Sequence, residues 1–513
     1  MTRIVGRFAH PTALNAARRA RDLAWLADDP EIDVLVVGGG ITGAGIALDA
    51  ASRGLRTVLV ERADLAHGTS RWSSKLVHGG LRYLASGQLA IAHESAAERH
   101  LLMTRIAPHL TRPLAQVLPL YAPGHVARGA YIGVGYALGD GLRRVVGTPD
   151  AVLSHPAAID RDTVLRLTPA VRSELLRGGV RGWDGQLFDD ARLVIAVART
   201  AAGFGARVLT RVEAVRVHGD GAVLRDALTG TEVTVRARAV LNAGGVWAGE
   251  LQSDVHLRPS RGTHLVVETS RLGGADAALT VPVAGSRSRF VFTVPAPHGR
   301  TYIGLTDVPA DGPLPDVPQA TDAEIDMLLD TVNAVLADPL RRSDVVGTFA
   351  GLRPLLTAGH EQHTETSDLS RRHAILESAD GVLTVVGGKL TTYRRMAQDG
   401  VDAAIARRFA RGEAPASRTA SLPLVGAWPR ARSAEISAAP RLVRRYGAEA
   451  PFVAALADGP AAARGVTAQE LRWGVLVEGA LTADDLLDRR TRLGLVAEDR
   501  AASMDAAEAA LDS

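Results

Sequence analysis

The sequence predicts an α/β fold in which a parallel, dinucleotide-binding sheet is joined to further domains, and two observations carry that expectation. A β-branched run at residues 32–37, IDVLVV, enters the turn Gly38-Gly39-Gly40-Ile41-Thr42-Gly43 directly; an Ala-rich helical stretch follows to residue 53; and residues 57–60 form a second apolar run closing on Glu61. The chain, at 513 residues, is too long for one hydrophobic core, so two or three domains are expected, with room to bury a large cofactor.

Each element of the βαβ unit has a physical task. Residues 32–37 suit a strand buried on both faces. Gly38 permits the tight turn, Gly40 lets a pyrophosphate approach the backbone, and Gly43 lets helix and strand pack closely. The helix N-terminus then faces the phosphates. Glu61, at the end of the second strand, is placed to accept hydrogen bonds from both ribose hydroxyls, which disfavours NADP. The unit is Rossmann-like, and FAD and NAD both remain open at this point.

Composition narrows the chemistry. The chain is 46% hydrophobic and 22% charged, as soluble globular proteins are, and it has no cysteine, which excludes disulfides, cysteine-ligated clusters and a catalytic thiol. Redox chemistry therefore needs a bound organic cofactor. A formal charge of +3 is small for this length and points away from a nucleic-acid partner. Only Lys75 and Lys389 are lysines among 59 basic residues, which suggests sites wanting a compact ammonium rather than a planar fork. Residues 1–30 hold arginines and aspartates without a continuous apolar core, so no signal peptide is expected, and the glycines and Asp49 of residues 34–51 argue for nucleotide binding rather than a membrane span. The expected location is the cytosol or a membrane surface.

Residues 68–84 read GTSRWSSKLVHGGLRYL, dense in hydroxyls, glycines and cations. Small residues and backbone N–H groups here suit a flat ring system, while Lys75 and Arg82 offer charge to an anion. Further blocks follow in order: FDDARLVIA (188–196), NAGGVWA (242–248), RGTHLVV (261–267), YIGLTD (302–307), AGLRPLL (350–356), SRRH (370–373), VVGGKLTTYR (385–394) and EGALTADDLLDRRTRLGLV (478–496). On these motifs the chain resembles the FAD-dependent glycerol-3-phosphate dehydrogenases, within the D-amino-acid-oxidase-like flavoproteins, nearly end to end. It departs from the pattern at Arg372-His373 and across residues 121–169.

The resemblance implies an N-terminal helical arm (1–30), a Rossmann-like FAD-binding domain built from residues 31–110, 188–258 and 345–405, an interleaved, mainly antiparallel substrate domain (111–187 and 259–344), and a C-terminal helical cap (406–513). It implies FAD contacts from Gly38, Gly40, Gly43, Glu61, Thr69, Ser70, Ser73, Ser74, Lys75, His78, Gly79, Gly80, Ala243, Gly244, Gly388 and Thr391, and from the backbone of Val212 in a third strand. For the substrate it implies Arg82, Tyr83, Arg371 and Lys389, with His264 as proton acceptor and Arg353 stabilising a developing alkoxide, although these roles are exchangeable from sequence. No metal is implied. The expected reaction is oxidation of sn-glycerol 3-phosphate to dihydroxyacetone phosphate, with electrons passed to membrane quinone from a cytoplasmic or peripheral membrane position. An oxygen-using glycerol-3-phosphate oxidase and an amine or amino-acid oxidase of the same fold are the alternatives. A homodimer is compatible with the resemblance, and sequence does not decide it.

Overall fold

A computed structural model describes residues 11–80, 83–84, 87–286, 289–356 and 373–512. Two sheets organise them. The first runs in the order His373–Glu377, Leu383–Gly387, Glu232–Asn242, Ile32–Val37, Thr57–Glu61 and Arg207–Thr210; all neighbours are parallel except the outermost pair, His373–Glu377 with Leu383–Gly387. Strand Ile32–Val37 is buried along its whole length, as its unbroken apolar run requires at the centre of a parallel sheet. Helices Ile41–Ser52, Asp190–Gly203 and Tyr393–Arg408 contribute to the core around it.

Among the described residues the second sheet has ten strands, antiparallel except where Ala278–Pro282 meets Thr111–Tyr121. Its long members are Thr111–Tyr121, Leu176–Leu187, Ser260–Glu268 and Val345–Arg353. Two segments assigned from sequence to the FAD-binding domain belong to this sheet instead. Leu76–Val77 pairs with Leu176–Leu187, and Val345–Arg353 pairs with Ser260–Glu268 from Ser260↔Arg353 to Val267↔Val345. This strand is hydrogen-bonded along Ser260–Glu268, and the described chain rejoins the first sheet at His373.

Val212 also differs from expectation. The third strand is Arg207–Thr210; Arg211 then turns at φ 57°, and Val212 opens a new strand, Val212–His218, paired with Gly221–Asp226. The N-terminal helix is Ala16–Ala27, capped by the Asn15 side chain. Arg18 and Arg19 face the protein, Arg18 donating to the carbonyls of Ala202 and Ala206 and Arg19 to that of Thr210 and to Asp226, while Arg21 is exposed. The C-terminal region holds helices Pro440–Tyr446 and Ala468–Leu476 and the wider-wound turn Asp485–Thr491, and it forms its own small cores.

Candidate active site

The turn after Ile32–Val37 is glycine because nothing larger fits. Gly38 has φ +111°, and a Cβ there would stand 2.5 Å from the Ala243 carbonyl oxygen; one on Gly43 would stand 1.8 Å from that of Gly38. Gly40 is the N-cap of helix Ile41–Ser52, and Ser70 Oγ accepts the Ile41 N–H at 2.9 Å. The Glu61 carboxylate accepts the N–H of Gly39 at 2.6 Å and of Ala63 at 2.8 Å. Burial raises its pKa against the pull of those two N–H groups.

These groups line a cavity of about 510 Å³ between the two sheets. From the first sheet and its connections come Gly38, Gly40, Glu61, Val212, Ala243, Gly244, Gly388 and Thr391, and from the segment after the second strand come Thr69, Ser70, Ser73, Ser74 and His78. The second sheet supplies His264 and Arg353 from neighbouring strands. Two glycines make room for them: a Cβ on Gly304 would meet the His264 ring at 2.2 Å, and one on Gly262 would meet the Arg353 guanidinium at 2.2 Å.

His264 stacks on Phe349, with ring centroids 4.5 Å apart, and its Nε2 pairs with Ser74 Oγ at 2.9 Å. Its Nδ1 is buried without a hydrogen-bond partner among the described residues. Burial, then the charges of Lys75 and Arg353, hold its pKa well below the usual imidazole value, so the ring is neutral. Arg353 donates to Ser260 Oγ, Asp307 Oδ1 and the Thr306 carbonyl, each at 3.2 Å. Lys389 follows Gly387 and Gly388, whose φ angles are 77° and 69°, and its ammonium donates to Ser95 Oγ at 2.8 Å above the Tyr83 ring. His78 pairs through Nδ1 with Asp184 at 3.0 Å.

Several predicted residues sit elsewhere. Lys75 does not line the cavity: its ammonium is buried against Asp190 at 3.1 Å, the Arg71 and Ser73 carbonyls and the Phe349 ring. Burial pushes it down to about 8 against the pull of Asp190. The Lys75 ammonium is thus engaged in an internal ion pair with Asp190. Gly79 and Gly80 are also outside the lining; a Cβ on Gly79 would meet Arg99 at 2.2 Å and one on Gly80 would meet Ala92 at 2.9 Å, so both glycines serve packing against helix Leu89–Leu101. Gly43 packs helix on strand, as its expected task requires. Arg82 and Arg371 lie outside the described residues.

A family model described as "FAD dependent oxidoreductase" matches residues 33–394, and one described as "C-terminal domain of alpha-glycerophosphate oxidase" matches residues 417–512. The chain is 53% identical over 502 residues to "Glycerol-3-phosphate dehydrogenase 1" of Mycobacterium tuberculosis, covering 96% of this chain and 97% of the relative. The chain belongs to the FAD-dependent glycerol-3-phosphate dehydrogenase family. It is also 34% identical to "Glycerol-3-phosphate dehydrogenase, mitochondrial" of Mus musculus, across 99% of this chain and 72% of that one. Among solved structures, the glycerol-3-phosphate dehydrogenase from Bacillus halodurans complexed with FAD is similar at TM-score 0.70 and 28% identity, covering 97% of this chain and 96% of that one. The L-alpha-glycerophosphate oxidase of Mycoplasma pneumoniae with FAD bound shares the fold, at TM-score 0.57 and 16% identity over 78% of this chain and all of that one.

The cofactor of this glycerol-3-phosphate dehydrogenase family member is FAD. The cavity fits that group: a glycine turn with no room for a Cβ at Gly38 or Gly43, a helix N-terminus opening on it, and a buried carboxylate at the strand end. Sequence reasoning missed several residues around it. Trp247 lines the cavity, packs where a Gly68 Cβ would be, and carries Arg62 over its ring at 4.8 Å. The buried acids Asp184 and Asp190 hold His78 and Ser73. Their signal was three acids, Asp184, Asp189 and Asp190, within seven residues at the end of a largely buried strand, where unpaired carboxylates do not persist.

Proposed function

We propose that this protein oxidises sn-glycerol 3-phosphate to dihydroxyacetone phosphate with bound FAD, passing the electrons to a membrane quinone. The observation that carries the reading is the meeting of Arg353, Lys389, His78 and His264 in one cavity with the glycine cradle and Glu61. Bound FAD supplies a hydride acceptor for the C2 hydrogen. In this reading Gly38, Gly40 and the first turn of Ile41–Ser52 hold the pyrophosphate, Glu61 the ribose and the Val212 backbone the adenine, with Thr69, Ser70, Ser73, Ser74, Ala243, Gly244, Gly388 and Thr391 along the remainder.

The chain's own work is to anchor a dianion, orient the C2 carbon and accept a hydroxyl proton. A buried phosphate needs several cations to offset its desolvation, and Lys389, in the cavity lining, is suited to that task; Arg82 and Arg371 join it on the family resemblance. Arg353, already shared with Asp307 and the Thr306 carbonyl, is suited to the C2 oxygen as it gains negative charge. His264 is a weaker store for a proton than the sequence implies, because burial and two cations favour its neutral form. Its paired Nε2 suits it to hold Ser74 in place.

The names of the relatives favour a dehydrogenase, whereas the match of residues 417–512 to an oxidase C-terminal domain favours oxygen as acceptor. Anaerobic addition of sn-glycerol 3-phosphate to the FAD-replete protein tests the shared half. Bleaching of the oxidised-flavin band supports the reading, and an unchanged band overturns the substrate. Reoxidation of the bleached protein by a quinone analogue but slowly by oxygen supports the quinone; fast reoxidation with peroxide release makes it an oxidase. The same preparation, sized in solution and mixed with anionic vesicles, tests the homodimer and the peripheral membrane position.

A further inference from the structure

The carboxylate of Asp184 is buried in strand Leu176–Leu187, and four donors converge on it. Arg99 Nη1 lies 2.6 Å from Oδ1, the N–H groups of Gly79 and Gly185 lie 3.1 and 3.0 Å from the same oxygen, and His78 Nδ1 lies 3.0 Å from Oδ2. Register explains the meeting. Val77 pairs with Gly185 across the short antiparallel ladder, so the chain leaves that ladder at His78 directly opposite Asp184. Burial would raise the Asp184 pKa, yet the Arg99 charge and the His78 contact bring it below the usual carboxylate value, so the group is ionised.

An ionised carboxylate only accepts hydrogen bonds, so the nitrogen facing it must carry the proton. His78 lines the cavity with a side chain 44% exposed, and with Nδ1 on Asp184 its Nε2 is the nitrogen left for the cavity. The charged and titratable groups around the pair are Arg99 and Tyr136 on the Asp184 side and His264, Arg353 and Lys389 in the cavity. The ring of Phe292, 6.5 Å away, is the aromatic neighbour.

We propose that Asp184 is a positioning residue for the reaction: it holds His78 in the tautomer with the proton on Nδ1, presenting an unprotonated Nε2 to the substrate hydroxyl. This rests on the function proposed above. The hydroxyl proton passes to Nε2 while the C2–O bond becomes C=O and the C2–H electron pair leaves as the hydride already described. The imidazolium that results faces the Asp184 carboxylate, which stabilises it. The pair also accounts for Gly79, whose missing Cβ leaves the space that Arg99 fills on its way to Asp184.

The test is the tautomer itself. In FAD-replete protein labelled with ¹⁵N-histidine, with His78 assigned by the His78→Gln variant, neutral His78 is expected to carry its proton on Nδ1; a proton on Nε2 overturns the proposal without any Asp184 variant. In Asp184→Asn the amide can donate to Nδ1, so the proton is expected to move to Nε2. Substrate-driven flavin reduction is then expected to slow roughly a hundredfold at unchanged FAD content. A variant with full FAD, the wild-type tautomer and the wild-type reduction rate overturns the proposal. If the wild-type protein is not reduced by sn-glycerol 3-phosphate, the substrate assignment falls, and the tautomer alone decides the role of Asp184.

Discussion

The guanidinium of Arg492, in the C-terminal region, donates to the carbonyl of Arg71 at 2.7 Å and lies 5.1 Å from the centroid of the Trp72 ring. Trp72 lines the cavity and stacks on Phe349, which stacks in turn on His264. The C-terminal region is thus in contact with the wall of the site. Arg492→Ala removes a buried hydrogen bond made by a charged donor and the cation over Trp72, a loss of about 2–3 kcal/mol. A lower melting temperature, together with slower flavin reduction by sn-glycerol 3-phosphate, is the expected result; unchanged reduction would separate Trp72 from the chemistry.

Acid should loosen the same region. His109 is buried where a Cβ on Gly426 or Gly447 would come within 3.3 and 2.9 Å of its ring, and burial, with the Arg192 charge, pushes it down to about 3. His298 pairs with the Thr491 carbonyl at 2.9 Å, and burial, with Arg445, pushes it down to about 4. Both rings stay neutral in the folded protein at pH values where the unfolded chain binds a proton. Their contribution is complete above about pH 6.5 and is lost as pH falls toward 4 and 3, reaching roughly 2 kcal/mol for each ring at pH 5. Melting curves from pH 7.5 to 5 check this, and His109→Gln is expected to flatten the slope if it folds.

Glu61 faces the cavity while its oxygens take the N–H groups of Gly39 and Ala63. Glu61→Ala strands both of those donors and removes the proposed ribose acceptor, so FAD affinity is expected to fall roughly tenfold to a hundredfold. Equilibrium titration of apoprotein with FAD measures it, with Glu61→Gln expected to fall between.

Lys389 is one of the two lysines, and its ammonium is shared between Ser95 Oγ and the Tyr83 ring at the cavity wall. Lys389→Ala is expected to keep its FAD spectrum and to lose at least about a hundredfold in the second-order rate of flavin reduction, the scale of removing one charge partner from a desolvated anion. Lys389→Arg is not a conservative change here, because a planar fork cannot occupy the site of a compact ammonium, and a partial defect is expected.

The strand, glycine turn, helix and strand of residues 32–61 were legible in the sequence for local reasons. A strand buried on both faces has to be apolar throughout, the turn after it has to be glycine, and a carboxylate belongs at the next strand end; residues 32–61 satisfy all three. The family resemblance extended this to His264, Arg353 and Lys389, and the structure brings all three to one cavity. The twin lysines show where local reasoning stops. Both sit in hydroxyl- and glycine-rich motifs, yet Lys389 faces the cavity and Lys75 faces inward to Asp190, because φ 57° at Lys75 and the placement of helix Asp190–Gly203 direct its stem.

By itself, then, the sequence determined the nucleotide-binding unit, the family, FAD and the absence of thiol chemistry, since these depend on residue types at short spacing. Tertiary structure alone decided that Val345–Arg353 belongs to the second sheet, that His264 is held neutral, and that Asp184 meets His78 across 106 residues of chain. Strand register and burial are set by packing between segments far apart in sequence. The charge state of a side chain follows from that packing and not from its neighbours in the chain.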